Sequence, residues 1–535
     1  MSMGAQMESY EAAPIHTVLI LGDGEHALRL ALGLSTTGFG IVVAEWTDSL
    51  TGPPELLEQL KDRDGVELLA GARIMGLSGD LGCFEAQFVR GRERFARTVA
   101  AVAVVPEPAS QVLFDTWNLV RSQNVTAISR IEDEELPESV RTVLLLDHPR
   151  GHGLPWQTAR LLRAAALWQK AGDRQCYLVS PQMKVAEQGL ERFYRQARDA
   201  GVIVIRPDEA RVEQNPDKVT LTYEDPLLDM RLVLTPDRTV VGEEDIPSRE
   251  LNGLAEALHV NQDSYGWLQE NNVMRLPVSS NRMGVFVVGA AAGPISPAGL
   301  EAAVMVASQE ISRVLKIEAE FIAAPKIEVD RDRCAHCLTC YRLCPHGAIS
   351  WKDKPLFSPI SCQGCGICAS ECPAEALTLM GFEPSEIRDR IDSTREGGAK
   401  PRVVVLACEK SGIEAFESLP DDDKRSLNVI TVAFPCAGNI KTAFMLNAFH
   451  LGGGADGVLV LGCHLDNCKS STGTVYARRK VEVVKNLLDS IGWERDRIRF
   501  YSLASNMGAK LYKEIKDFQE KLATLEPLHK AASGD

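Results

Sequence analysis

Eight of the chain's 14 cysteines fall in two runs of one spacing, Cys334, Cys337, Cys340 and Cys344 before Pro345, then Cys362, Cys365, Cys368 and Cys372 before Pro373. Thiolates at that spacing wrap a loop around a four-iron cluster. Three cysteines of one loop reach three corners of the cube, but the fourth corner lies across the module, within reach of the last cysteine of the other run. The expected sets are therefore crossed: Cys334, Cys337, Cys340 and Cys372 around one [4Fe-4S] cluster, and Cys344, Cys362, Cys365 and Cys368 around the other. Structural zinc, the competing chemistry, more often uses two C-x-x-C pairs or mixed Cys/His sets. Centres of this kind move electrons one at a time.

Four further cysteines are spread along the last quarter of the chain. Cys408 follows the strand-like run Val403–Leu406, Cys436 follows Val429–Val432, and Cys463 follows Gly457–Leu461, with Cys468 just beyond a polar turn. Loops at the carboxyl ends of parallel strands collect on one edge of a sheet, so cysteines distant in sequence converge there. Four thiolates suit a two-iron cluster or zinc equally by ligand count. A [2Fe-2S] cluster is the expectation, because a chain with two four-iron clusters gains an electron exit from a third redox centre. His464 is a candidate donor to a cluster sulfur, although a solvated loop histidine is the plainer reading. Cys83 and Cys176 are left unassigned.

The elements that must position these residues read as multidomain α/β. The run Thr17–Leu21 meets Gly22-Asp-Gly24-Glu-His-Ala27 and then an apolar helix face of Leu28, Ala31 and Leu32; the next apolar run, Ile41–Ala44, ends in Glu45. This is the order of a dinucleotide fingerprint, with Gly22 for the turn, Gly24 for close approach of a pyrophosphate, Ala27 for helix packing and Glu45 for a ribose hydroxyl. A Rossmann-like unit that binds nothing is the competing reading. Strands at 142–147, 175–179 and 202–205 alternate with helices near 157–171 and 185–200. Gly151-His-Gly153 does not make a second nucleotide fingerprint, since Trp156 stands where a small residue is needed. The run Gly284–Gly289, continued to Gly293-Pro294, closes the first large domain with a helix of small residues.

The expected layout is a flexible terminus at 1–15, a Rossmann-like domain at 16–325, a two-cluster ferredoxin module of α+β type at 326–382, a linker at 383–400 and an open-sheet α/β domain at 401–535. The length of 535 residues exceeds what one core serves. A hydrophobic share of 45% with 24% charged residues is that of an ordinary water-soluble chain, and there is no uninterrupted apolar run long enough to span a bilayer. With no export signal at the start, a cytoplasmic location is expected, and disulfides have little place. The net charge of -15 argues against a nucleic-acid surface and for docking on protein partners.

On these residues a family resemblance stands out. Residues 16–382 resemble the flavin and ferredoxin parts of the A-type subunit of heterodisulfide reductase, through Val18–Gly24, Tyr194–Val202 with Ile205-Arg206, and Gly284–Gly289 leading to Gly293-Pro294. Residues 402–535 resemble the delta subunit of methyl-viologen-reducing hydrogenase, through Gly457–His464 with Cys468, Gly473 and Tyr476–Arg479. The fused order is similar to the B-type subunit of the quinone-interacting membrane-bound oxidoreductase complex. The resemblance implies FAD in the first domain, held near Gly22, Gly24, Ala27, Glu45, Gly289 and Gly293, together with the two [4Fe-4S] clusters and one [2Fe-2S] cluster.

It also implies partners: other subunits of a heterodisulfide-reductase-like complex, with hydrogenase, formate dehydrogenase or quinone-linked subunits as candidates, and contact with a membrane only through them. An electron-transfer subunit needs no general base or nucleophile. The chain departs from the resemblance at Pro106-Glu-Pro108, where related flavoproteins place an Ala-Thr-Gly turn, and at Ala290, where an Asp often holds the ribityl chain. The Cys-Cys motifs of the B-type, heterodisulfide-reducing subunit do not occur, so the chain is not expected to reduce a disulfide itself. The rival functions are a self-sufficient NAD(P)H-oxidising flavoprotein and an interaction scaffold with an empty flavin fold.

Overall fold

The computed structural model describes residues 16–535 apart from 151–153, 186–188, 217, 226–227, 270–271, 317–325, 352, 393–400, 428, 451–453, 527 and 529–535. The expected loose terminus at 1–15 lies outside the described residues. The chain divides into two units. One comprises the N-terminal residues to Pro106, Glu250–Ala292 and Glu301 onward; the other comprises Glu107–Arg249 with Gly293–Leu300.

In the first unit a five-stranded parallel sheet runs in the order Val285–Val287, Ala101–Val105, Thr17–Gly22, Gly40–Ala44, Val66–Leu69. Its three central strands are almost wholly apolar because both faces are covered. Alternation along each strand sorts the side chains: Leu19, Leu21, Val42 and Val104 meet Phe84 and Phe88 of an antiparallel meander, Arg73–Asp80, Cys83–Arg90 and Glu93–Val99. Val18, Ile20, Ile41 and Val43 meet Ala27, Leu28 and Ala31 of the helix Gly24–Ser35. Each such Leu, Ile or Val contributes roughly 1.5–3 kcal/mol when fully buried.

The ferredoxin module lies in this same unit. It has two antiparallel ladders, Ile327–Val329 with Leu377–Leu379 and Ile349–Trp351 with Pro355–Phe357, and two short helices, Thr339–Leu343 and Ile367–Ser370. The C-terminal sheet is parallel, in the order Val429–Phe434, Val403–Cys408, Gly457–Gly462, Ile498–Ser502. Strand parity decides where its sulfur goes. Val403, Val405 and Ala407 face the helix Gly508–Ala523, while Val404, Leu406 and Cys408 face the other core, which also holds Cys436, Cys463 and Cys468.

The second unit repeats the doubly wound theme on its own, with parallel strands in the order Ile203–Ile205, Gln175–Val179, Thr142–Leu146, Arg238–Val241, Val125–Ala127. Val143 and Leu145 pack on Leu161, Ala165 and Trp168 of the helix Pro155–Lys170, whose Trp168 indole N–H donates to Glu134 O at 2.9 Å.

Within the stretch 16–325, Glu107–Arg249 closes a sheet and core of its own. The linker is partly a helix, Pro384–Asp392: its charged residues hide an apolar pair one turn apart, Ile387 and Ile391, which is buried in the C-terminal core. Residues 393–400 lie outside the described residues. The helix expected near 185–200 is described over Leu190–Asp199, with 186–188 outside the described residues.

Candidate metal centres

The loops that carry the two cysteine runs turn through left-handed backbone at matched positions: His336 (φ 54) and Leu338 (φ 59) in the first run, Gly364 (φ 65) and Gly366 (φ 73) in the second. Glycine adopts this conformation freely, whereas His336 and Leu338 each carry a cost of about 1–2 kcal/mol. The gain is a concave loop whose cysteines point inward. Cys334, Cys337 and Cys340 line one cavity together with Cys372. Cys362, Cys365 and Cys368 line another together with Cys344. The last cysteine of each run thus sits in the opposite cavity, the crossed arrangement that loop reach requires. Apolar side chains close both spaces, Leu338 and Trp351 at one and Ile327 and Phe357 at the other.

Spacing alone did not announce the backbone donors. The Ala348 N–H donates to Cys344 Sγ at 3.4 Å and the Ala376 N–H to Cys372 Sγ at 3.3 Å, one for each crossing cysteine. Burial pushes the Cys365 thiol up to about 12 and raises Cys340, Cys344 and Cys368. Clustered, largely buried thiols ionise together only around a cation, so four converging sulfurs in each cavity fit an iron-sulfur cluster. Cys337, at the solvent edge, is instead lowered by the Thr339 hydroxyl.

Cys408, Cys436, Cys463 and Cys468 do converge, and all four are buried. Cys408 Sγ and Cys463 Sγ are 3.9 Å apart. Two thiolates bound at about 2.3 Å to one tetrahedral metal stand about 3.8 Å apart. Without a metal the thiols share protons: hydrogen bonds from Cys463 lower Cys408 to about 7, bonds from Cys436 and Cys463 lower Cys468, and the two donors are raised. Gly473 closes the site, since a Cβ there would meet Cys436 Sγ at 2.3 Å and Cys468 Sγ at 3.4 Å. The Thr474 hydroxyl ties the adjacent helix start to Cys463 O at 3.0 Å. His464 is half-buried in the turn.

The ferredoxin module and the tetracysteine site meet within one unit. Cys365 packs against the core that contains Cys436. Beside it, a Cβ on Gly366 would lie 2.4 Å from Asn439 Cγ, and one on Gly438 2.8 Å from Ile367 Cγ1. Asn272 holds the turn from the opposite side, its side-chain amide donating to Cys468 O at 2.8 Å.

At the dinucleotide fingerprint Gly22, Gly24, Ala27 and Glu45 are adjacent, but their polar groups are turned inward. The Glu45 carboxylate is buried and accepts from the Thr47 hydroxyl, from the Thr51 N–H at 2.9 Å and from the Thr51 hydroxyl at 3.0 Å. Thr51 Oγ1 in turn accepts from the Gly24 N–H at 3.1 Å, the donor a pyrophosphate would use. A Cβ on Gly22 would lie 2.0 Å from Val105 O, so the turn is close-packed on protein. In this arrangement Thr51 engages both the Gly24 N–H and the Glu45 carboxylate, the two groups a bound dinucleotide would use. Gly289 lies in the turn after Val285–Val287, whereas Gly293 falls in the other unit by its contacts.

The second unit carries its own buried carboxylate at a strand end. Asp147 accepts from the Thr158 hydroxyl at 2.7 Å, the Ser180 hydroxyl at 2.8 Å and the His148 N–H at 2.8 Å. The Trp156 indole N–H donates to Asp245 at 3.2 Å. Gly151 and Gly153 lie outside the described residues.

Parts of the chain match known families. Residues 403–526 match the model of the methyl-viologen-reducing hydrogenase delta subunit. Over 131 residues the chain is 30% identical to the D-type iron-sulfur subunit of the F420-non-reducing hydrogenase of Archaeoglobus profundus, covering 24% of this chain and 93% of that one. The chain belongs to the hydrogenase delta-subunit family through this segment. Residues 326–349 and 355–378 each match a 4Fe-4S binding domain. The A-type subunit of the ferredoxin:CoB-CoM heterodisulfide reductase of Methanosarcina mazei is 28% identical over 354 residues, 65% of this chain and 44% of that one.

The chain therefore joins a part like the A-type subunit of heterodisulfide reductase to a part like the hydrogenase delta subunit, and spans less than half the length of the reductase relatives it matches. Thioredoxin reductase of T. acidophilum superposes with a TM-score of 0.39 at 11% identity over 56% of this chain and 98% of that one, too distant a likeness to argue from. No described helix is long and apolar enough to cross a membrane.

Proposed function

We propose that the chain is an electron-transfer subunit of a heterodisulfide-reductase-like redox complex, holding two [4Fe-4S] clusters and one [2Fe-2S] cluster in series. The order is the centre of Cys334, Cys337, Cys340 and Cys372, then that of Cys344, Cys362, Cys365 and Cys368, then that of Cys408, Cys436, Cys463 and Cys468. Iron-sulfur clusters accept and release single electrons. The chain's own contribution is to hold them close and dry and to aim N–H groups at their sulfurs. The observation that carries this reading is the packing of Cys365 on the core of the tetracysteine site, which gives the second ferredoxin centre a neighbour at its far side. Its partners are other subunits of such a complex, docked on an acidic protein surface, with any membrane contact made by them.

A second reading applies to the first domain alone: the bond between Thr51 and Gly24 favours a dinucleotide fold that holds no FAD. One preparation tests both. Anaerobically purified full-length protein should contain iron and acid-labile sulfide and show three paramagnetic centres on reduction; zinc in their place sinks the relay. A stoichiometric yellow cofactor in the acid extract would mean that Thr47–Gly52 opens for FAD, and a colourless extract would mean that the fold is empty.

A further inference from the structure

The helix Gly473–Ser490 turns one face to the C-terminal core, with Ala477, Val481, Val484 and Leu488 buried at helical spacing. Lys480 lies on that face, at a position where the pattern calls for an apolar residue. Its side chain is only 10% exposed. A lysine is seldom buried so far unless its charge is met.

Here all three ammonium donors are met, and by two different modules. Lys480 Nζ reaches Ser370 Oγ at 2.8 Å, Gly438 O at 2.8 Å and Glu371 Oε1 at 3.0 Å. The Ser370 hydroxyl itself donates to the same Gly438 O at 2.6 Å. Ser370 and Glu371 lie in the three-residue peptide between Cys368 and Cys372, which line the two different ferredoxin cavities. Gly438 follows Cys436 by two residues, and its N–H donates to Cys436 Sγ at 3.4 Å. One cation thus bridges the peptide that links both ferredoxin centres to the backbone that holds a tetracysteine sulfur.

Joining a carbonyl to a hydroxyl needs only a neutral amide. A charge is needed where the neighbour's charge changes. Reduction adds an electron to the tetracysteine centre, and a buried cation beside it stabilises that more negative state, whereas Glu371 opposes it.

We propose that Lys480 is a positioning residue for electron transfer between the second ferredoxin centre and the tetracysteine centre, locking Ser370 and Glu371 to Gly438 and favouring the reduced tetracysteine centre. The inference rests on the relay reading above.

The test is a redox titration of the full-length holoprotein followed by electron paramagnetic resonance, with iron and sulfide measured in each variant. Lys480→Met removes the cation and leaves Glu371 unopposed, so the tetracysteine midpoint should fall. Glu371→Gln leaves the cation unopposed, so it should rise. Each shift should be about tenfold in the one-electron equilibrium, or about 59 mV. The double variant should return close to the parent, and Lys480→Arg should stay near it.

A tie that was only mechanical would move the midpoint the same way in both single variants, or in neither, and either result overturns the proposal. If Lys480→Met loses its iron, Glu371→Gln decides alone: a rise supports the proposal and an unchanged or lowered midpoint ends it. A parent protein with zinc at the four C-terminal cysteines would instead sink the relay reading, which is a separate outcome from a normal third redox wave that the variants leave unmoved.

Discussion

Substituting Gly473 by Ala should empty the tetracysteine site. Gly473 is the first residue of its helix, and its φ lies outside the positive range, so alanine meets no backbone obstacle. In an unconstrained helix the exchange would stabilise by about 1 kcal/mol. Here the new methyl would sit 2.3 Å from Cys436 Sγ, and must be relieved by about 0.7 Å to reach even the 3.0 Å that real Cβ atoms respect. The Gly438 N–H already donates to that sulfur at 3.4 Å. A metal-sulfur bond of about 2.3 Å does not survive a displacement of that size, since tolerated departures are about 0.2 Å. Anaerobically purified G473A should therefore lack the iron of one centre, keep that of the two four-iron centres, and lose one paramagnetic signal. Its circular dichroism should match the parent. Full iron content with an unchanged spectrum would refute the claim that Gly473 exists to admit the cluster sulfurs.

Two further outcomes follow from particular contacts. Cys372→Ala should damage the centre built on Cys334, Cys337 and Cys340, because Cys372 lines that cavity; electron paramagnetic resonance showing loss of only the other ferredoxin signal would contradict the crossed arrangement. Asp147 is raised by burial, beyond what its three donors recover. The folded unit therefore keeps a proton that the unfolded chain releases, so this contribution is present below the ordinary carboxylate value and is lost as pH rises through the raised one. Asp147→Asn removes the loss, and unfolding midpoints measured from about pH 4 to pH 8 should fall less with pH than in the parent; parallel profiles would refute it.

The cysteine spacing by itself determined which sulfurs belong to which ferredoxin cavity, because loop reach is a local property: three residues of a tight turn cannot enclose a cube, and the fourth must come from elsewhere. It determined the α/β alternation for the same reason, since strand and helix periods are written in consecutive residues. The fate of Glu45 was decided only in three dimensions. The fingerprint is a pattern of permissions, and whether Gly24 N–H meets a phosphate or Thr51 depends on how the following loop folds back.

Lys480 was likewise invisible, one more charge in a basic run until the fold buried it between two modules. The division of the first domain and the helix at Pro384–Asp392 belong with it, because composition reports what a segment exposes on average, not which two isoleucines find a core. Local geometry is specified by neighbours in sequence; burial and the satisfaction of polar groups are specified by neighbours in space, and those exist only once the chain has closed.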